Sequence, residues 1–148
     1  MVIASFAGAL SIAAGLIINF EGVHNRAYYD PPGIATICYG HTAGVKITDV
    51  ANDQKCVALL NEDVKKTEAT INRLVKVPMP ETRKAALVDF VYNVGEPKFS
   101  HSTLLKKLNT GDTVGACNEL TRWVYSGGKK LPGLVKRREA EKELCLRK

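Results

Sequence analysis

The chain opens on an uncharged apolar run, and clear helical periodicity with polar faces begins only some fifty residues later. VIASFAGALSIAAGLIINF, Val2 to Phe20, contains no acidic or basic residue. As a helix rising about 1.5 Å per residue it would reach roughly 28 Å, just enough for the core of a bilayer. Ser5, Gly8, Ser11, Gly15 and several alanines dilute its leucines and isoleucines, so the gain on insertion is small. In its second half Ile12, Leu16, Ile17 and Phe20 recur at helical spacing, which equally suits a helix buried on most sides. Three fates compete: a permanent anchor, a cleaved signal, and a helix that leaves the membrane and docks on the domain behind it. Cleavage is disfavoured. No basic residue precedes the run, and a cut near Ala13 or Ala14 would discard most of the helix that ends at Glu21. The third fate is the one favoured.

Behind Thr42 the pattern becomes polar and helical. Thr48, Asn52 and Asp53 offer N-caps, and CVALLNEDVKKTEATINRLVKV carries Val57, Leu60, Val64, Ile71 and Leu74 on one stripe. Pro78 and Pro80 stop that helix, and Pro80 suits the first turn of the next. ETRKAALVDFVYNVG reads as a buried helix ending at Gly95, and FSHSTLLKKLNTGD as one that starts at a Ser or Thr cap and ends at Gly111. DTVGACNELTRWVYSGG and LPGLVKRREAEKELCLRK complete the set. Strand signals are confined to Tyr28–Asp30, Ala35–Tyr39 and Val45–Ile47, close enough together for a small antiparallel sheet. The expected class is α+β, mostly helical, with the sheet near the front and a lobe boundary in the long helix that begins near Asp53.

Composition narrows the partners. With 148 residues, 45% of them hydrophobic and 24% charged, the chain makes one domain, at most two lobes sharing a core, and is not disordered. Lysine and arginine number 21 against 15 acidic residues, a formal charge of +6. That excess suits a polyanion such as nucleic acid, anionic lipid or an acidic wall polymer. Cys38, Cys56, Cys117 and Cys145 form no CxxC pair. If they are oxidised, local pairing within each half joins Cys38 to Cys56 and Cys117 to Cys145, with two other connectivities open.

The chemistry concentrates in EGVHNRAYYDPPGIATICYGHT, Glu21 to Thr42. Glu21 ends the apolar helix, so its carboxyl would meet apolar surface, where desolvation favours the neutral, proton-donating form. Asp30 lies in the polar turn YYDPPG, where it would stay ionised. Two carboxyls in unlike environments suit an acid and a base for splitting a glycosidic bond. Thr36 on the next strand offers a hydroxyl to orient a water.

Glu-Gly, then Tyr-x-Asp, then Thr-Ile-x-Tyr-Gly-His-Thr resembles the phage-type lysozymes, glycoside hydrolase family 24. FVYNVGEPKFSHSTLLKKLNTGD and RWVYSGGKKLPGLVKRREAEKELC resemble the family's C-terminal lobe, so the likeness runs from about Ser11 to the end. It implies a lysozyme-like two-lobed fold and an endolysin that cuts the β-1,4 bond between N-acetylmuramic acid and N-acetylglucosamine in peptidoglycan, with inversion the usual outcome. It implies Glu21 as general acid, Asp30 as the carboxylate that activates water or stabilises positive charge, and Thr36 as the water-positioning residue. Phe99 and Ser102 match the family's F-x-x-S stretch at the cleft edge, as candidate sugar contacts beside their plainer roles of core aromatic and helix cap. His41 matches a structural position. No cofactor is implied, and no His/Cys/Asp spacing argues for a metal. Some members carry a weakly apolar signal-arrest-release segment. On that likeness residues 1–20 are the segment, merging into the first helix, and 21–148 the catalytic domain. The protein would then associate transiently with the inner membrane through residues 2–20 and act as a monomer in the host periplasm. The chain departs from that pattern in carrying no Lys or Arg ahead of the segment.

Two rival readings are weaker. Lys136-Arg137-Arg138 suggests a nucleic-acid grip, but Glu139, Glu141 and Glu143 follow at once. The mixed signs read as a solvated helix face with i,i+4 pairs, against nucleic-acid binding. Lysis by physical membrane disruption is the other, and it would survive loss of Glu21. Trp123 is expected in the core, and His24 and His101 in solvent.

Overall fold

The computed structural model describes residues 8–148, so the part of the apolar start before Gly8 lies outside the described residues. Helix α1 (Ala9–Glu21) is followed by strands β1 (His24–Tyr29) and β2 (Ala35–Cys38), then by α2 (Asp53–Leu74) and α3 (Glu81–Val94). The remainder is α4 (Glu96–Ser100), α5 (Thr103–Asn109), α6 (Thr113–Glu119), a 3-10 turn at Leu120–Arg122, a hairpin of β3 (Tyr125–Ser126) and β4 (Lys129–Lys130), and α7 (Pro132–Leu146). The protein is α+β and mostly helical, with a small antiparallel sheet in the front lobe.

Helix α3 is the centre of the molecule. Every residue from Ala85 to Val91 is buried, because α1, α2 and α7 all pack around it. A helix enclosed on all sides needs no polar face, which is why ETRKAALVDFVYNVG shows little amphipathic patterning. The packing of α1 selects small residues: Ala9, Ala13, Ala14 and Ile17 are buried, whereas Ile12 is 37% exposed. The apolar stripe expected on α1 is thus rotated towards its alanines, since close helix approach rewards small side chains more than large ones. The backbone N–H of Ala9 donates to Glu81 Oε2 at 2.6 Å, so the first residue of α3 caps the start of α1. No described helix is long and apolar enough to cross a membrane.

Caps and stops follow local chemistry. The Asn52 side chain accepts from Lys55 N at 2.8 Å and opens α2, whose buried stripe is Cys56, Leu60, Val64 and Ile71. Val57 and Leu74 sit at its margin. Pro80 precedes α3 as its N-cap and does not enter the first turn. Ser102 opens α5 by accepting from Leu105 N. Both disulfides form in the local pairing, Cys38–Cys56 joining β2 to α2 and Cys117–Cys145 joining α6 to α7.

The strands differ from the sequence expectation in two places. Residues 45–47 form no strand; the backbone there turns, and it is residue Val50 that bridges to Arg26 of β1. The β3–β4 hairpin went unforeseen because its two-residue strands are too short for any alternation to register; Gly127 and Gly128, both at positive φ, form its turn.

Candidate active site

Glu21 is the last residue of α1. Gly22, at φ 69°, returns its N–H to Ile18 O and breaks the helix there, so the chain turns directly into β1. A carboxylate at a helix C-terminus faces the negative end of the helix dipole and calls for a cation. Arg137 of α7 supplies it. Its Nη1 donates to Glu21 Oε2 at 2.7 Å, while Nε and Nη2 donate to Asp89 Oδ2 and Oδ1, each at 2.9 Å. The apolar wall expected around Glu21 is therefore replaced on one side by a guanidinium, with the Phe20 ring lying against that same guanidinium. Burial by itself would lower the pKa of Arg137, but the Asp89 and Glu21 carboxylates outweigh it and hold the pKa above its ordinary value. The cation is permanent.

On the opposite side a turn closes over Glu21. Ile37 and His41 exchange backbone hydrogen bonds at 2.9 and 2.8 Å, with Cys38 at φ 61° and Gly40 at φ 81° between them. A Cβ on Gly40 would lie 3.1 Å from Glu21 Oε1 and 3.6 Å from Tyr92 Cε1. Three ties hold this turn. Tyr92 donates its hydroxyl hydrogen to Tyr39 O, the disulfide fastens Cys38 to α2, and His41 Nδ1 lies 2.6 Å from Asp63 Oδ2. His41 thereby ties the turn to α2, and its Nε2 lies 3.0 Å from Ala43 O. Burial first, then the Asp63 and Glu21 charges, drive the Tyr92 hydroxyl far above its ordinary pKa, so it stays a hydrogen-bond donor. Gly40→Ala places a methyl group against the Glu21 carboxyl in a left-handed conformation that costs an L-residue about 1–2 kcal/mol. The expected result is a folded protein destabilised by about that amount with kcat reduced more than KM is raised, read by steady-state kinetics beside thermal unfolding.

Asp30 and Thr36 are joined through the backbone of one residue, Ile34. Asp30 Oδ1 accepts the Ile34 N–H at 2.7 Å, and the Thr36 hydroxyl donates to Ile34 O at 2.9 Å. Pro31, Pro32 and Gly33, the last at φ 88°, make the tight loop that permits this. Among the described residues Asp30 Oδ2 accepts no hydrogen bond. Tyr28 pairs with Thr36 across the two strands. Its pKa is raised by burial first and then by the charges of Glu21 and Asp30, so its phenol lies in the field of both carboxylates. Tyr28 is thus the group that relates the three: it feels the charges of Glu21 and Asp30 and is the cross-strand partner of Thr36.

A phage lysozyme family model matches residues 18–141, which includes every one of these groups. The chain belongs to the phage lysozyme family. It is 45% identical over 146 residues to the SAR-endolysin of Bacteriophage PS119, covering 94% of this chain and 87% of that protein. The solved muramidase domain of SpmX from Asticaccaulis excentricus superposes with a TM-score of 0.83 at 31% identity, covering 92% of this chain and 95% of that one. The active form of P1 phage endolysin Lyz gives 0.79 at 30% identity, with 91% and 83% covered. This lysozyme is accordingly a hydrolase and a phage endolysin.

Not every residue singled out in the sequence reaches the lysozyme's site. Phe99 is fully buried and packs edge-on to Phe90, and Ser102 donates to Phe99 O while capping α5. Both are enclosed, so the sugar contacts considered for them are not carried forward. Trp123 packs on Phe90 at 5.3 Å between ring centres, as expected of a core residue.

The larger correction concerns α7. Arg137, Arg138 and Glu141 are at most 4% exposed, not a solvated face. Arg138 donates to Glu141, to Trp123 O and to Asn93 Oδ1, and its guanidinium stacks over the Phe90 ring. Asp89, which grips Arg137, reads along the sequence only as part of a buried helix. A signal was present: Cys145 lies one turn beyond Glu141 and two beyond Arg137 and Arg138, so a disulfide at Cys145 turns that whole stripe inward.

Proposed function

We propose that this lysozyme is a muramidase that hydrolyses the β-1,4 bond between N-acetylmuramic acid and N-acetylglucosamine in peptidoglycan, with Glu21 as general acid. The observation that carries the reading is the asymmetric hold on the Glu21 carboxyl. Arg137 occupies Oε2, so an acidic proton belongs on Oε1, the oxygen that faces the Gly40 turn. A cleft of about 280 Å³ lies on the far side of that turn, lined by Gly40, His41, Asp63, Thr67, Tyr92 and Glu96 among others and not by Glu21, Asp30 or Thr36 themselves. Asp30 is the second carboxylate, its Oδ1 fixed by the loop and its Oδ2 available to a water or to positive charge at the anomeric carbon. The Thr36 hydroxyl spends its hydrogen on Ile34 O and so presents lone pairs to a water's hydrogens. The chemistry needed is proton transfer and stabilisation of an oxocarbenium-like transition state.

The same reading extends to how the enzyme reaches its wall substrate. Residues 2–20 act as a transient inner-membrane tether, residues 21–148 as the catalytic domain, and the protein works in the periplasm as a monomer after release. The likeness to SAR-endolysins over nearly the whole chain supports this, as does α1, whose second half contributes Ala13, Ala14 and Ile17 to the core once docked. The boundary at residue 20 thus falls within one helix, and release and folding are coupled. The test is digestion of purified, membrane-free peptidoglycan with mass spectrometry of the products. Reducing N-acetylmuramic ends are expected. Anhydro ends would make the protein a lytic transglycosylase instead, and no product would point to lysis by membrane disruption.

A further inference from the structure

We propose that Lys66 takes a carboxylate of the peptidoglycan strand in the cleft beyond the Gly40 turn, and so lets the lysozyme tell anionic strands from neutral ones. The inference rests on the muramidase reading, with Glu21 as the acid. The turn from Gly40 to Ala43 forms one wall of the cleft, and the end of α3 with Glu96 of α4 forms another. The third wall is α2, which contributes Asp63, Lys66, Thr67 and Thr70. Their spacing of i, i+3, i+4 and i+7 puts all four on one face of the helix. The cleft is next to the site, since Gly40 belongs to both: a Cβ there would lie 3.1 Å from Glu21 Oε1. A glycan strand positioned at Glu21 therefore has one turn of backbone to cross before a neighbouring unit meets α2.

The charges in the cleft single out Lys66. Asp63 and Glu96 are the acids that line it, and both are already engaged. Each ring nitrogen of His41 faces an oxygen, Asp63 Oδ2 at 2.6 Å and Ala43 O at 3.0 Å. Both nitrogens then carry hydrogen, and the His41–Asp63 pair is neutral as a unit. Glu96 Oε1 accepts from Arg73 Nη2 at 2.7 Å and from Thr70 Oγ1 at 2.8 Å, so Arg73 balances it. Lys66 remains. Among the described residues its ammonium makes no hydrogen bond or ion pair, and the cleft is left with one uncompensated positive charge.

The hydrogen-bond donors lead to the same residue. Tyr92 gives its hydroxyl hydrogen to Tyr39 O, Thr67 to Asp63 O and Thr70 to Glu96. Among the described side chains lining the cleft, the Lys66 ammonium and the Thr42 hydroxyl are the uncommitted donors, and only the ammonium is charged. The cleft thus offers hydroxyl lone pairs to sugar hydroxyls and one cation with three hydrogens to donate. A lysine on a convex face serves solubility. Inside a concave wall whose acids are neutralised, its field is cancelled by nothing in the protein and draws an anion. A peptidoglycan strand carries that anion as a carboxylate, either on the stem peptide or, where the peptide has been removed, on the lactyl arm of N-acetylmuramic acid.

The experiment compares wild type, Lys66→Gln, Lys66→Arg and, as reference for the chemistry, Glu21→Gln on three soluble substrates. These are strands with intact stem peptides, strands stripped of peptide so that the lactyl carboxylate is free, and intact strands whose carboxylates are capped as methyl amides. Lys66 is exposed, so its variants should fold, which circular dichroism checks. Lys66→Gln is expected to raise KM about 3- to 5-fold on the strand whose carboxylate it holds, the scale of a solvent-reached charge pair. Its kcat should be unchanged, and so should its KM on capped strands. Lys66→Arg keeps the charge and should keep most of the preference. Added salt should weaken wild type on anionic strands more than it weakens Lys66→Gln. A rise confined to peptide-bearing strands assigns the carboxylate to the stem peptide, and one confined to stripped strands assigns it to the lactyl arm. Wild-type KM for Lys66→Gln on both anionic strands overturns the proposal. So does an equal rise on capped strands, which would mark a lost contact rather than a lost charge. If wild type cuts none of the three, or Glu21→Gln cuts as fast as wild type, it is the muramidase reading that falls.

Discussion

Glu21→Gln is expected to fold normally and to lose about 10²–10⁴-fold in turnover on peptidoglycan, the range associated with removing a general acid. In free energy this is roughly 3–5 kcal/mol of transition-state stabilisation. The substitution isolates chemistry from packing. Gln has the size of Glu, and its amide oxygen can accept from Arg137 Nη1 where Glu21 Oε2 does. What it cannot do is deliver a proton at the oxygen beside the Gly40 turn. Arg137 remains clamped by Asp89, so no buried cation is abandoned. Removing a carboxylate from the C-terminal end of α1 also relieves an unfavourable dipole contact. The stability change should therefore be small, about 1 kcal/mol in either direction. Parallel rate measurements and thermal unfolding separate the two effects. Turnover within tenfold of wild type would remove Glu21 from its assigned role.

Arg137→Met carries the largest expected loss of stability. It leaves Asp89 fully buried without its cation and Glu21 without its anchor, and stranding one member of a buried ion pair costs about 3–5 kcal/mol. Against a total stability of roughly 5–15 kcal/mol this is a large share. For a chain of this size it corresponds to a fall in Tm of roughly 6–20 °C. Activity should fall as well, since the Glu21 carboxyl is then free to rotate. A double-mutant cycle with Asp89→Asn tests the cause. If the penalty comes from the orphaned Asp89 charge, the double variant recovers a substantial part of the stability but none of the activity, because Glu21 is still unanchored. A single-variant loss below about 1 kcal/mol would mean that water or a neighbouring group reaches Asp89.

The site divides between groups legible along the chain and groups that folding alone assembles. Glu21, Asp30 and Thr36 lie within one short stretch, and local rules place them. Gly22 ends the helix, Pro31, Pro32 and Gly33 make the loop that holds Asp30, and period-two alternation sets Thr36 opposite Tyr28. Asp89, Arg137 and Glu141 are 48 and more positions away from one another or from Glu21 along the chain, apart from the Arg137–Glu141 turn. No local periodicity records which helix faces which.

By itself the sequence determined the succession of the main helices with their caps and stops, and it marked the stretch proposed to carry the catalytic chemistry, because these depend on dihedral preferences and hydrogen bonds among near neighbours; the local disulfide pairing it favoured without fixing, and the structure selected it. Only the tertiary structure decided that the charged face of α7 turns inward. A helix of mixed charges is soluble in either orientation, and its burial becomes tolerable only once Asp89 on α3 and Glu21 on α1 arrive to neutralise it. The alanine face of α1 was settled in the same way, by how closely α3 approaches. Distant partners, supplied by packing, determine what an isolated residue of α7 or α1 means.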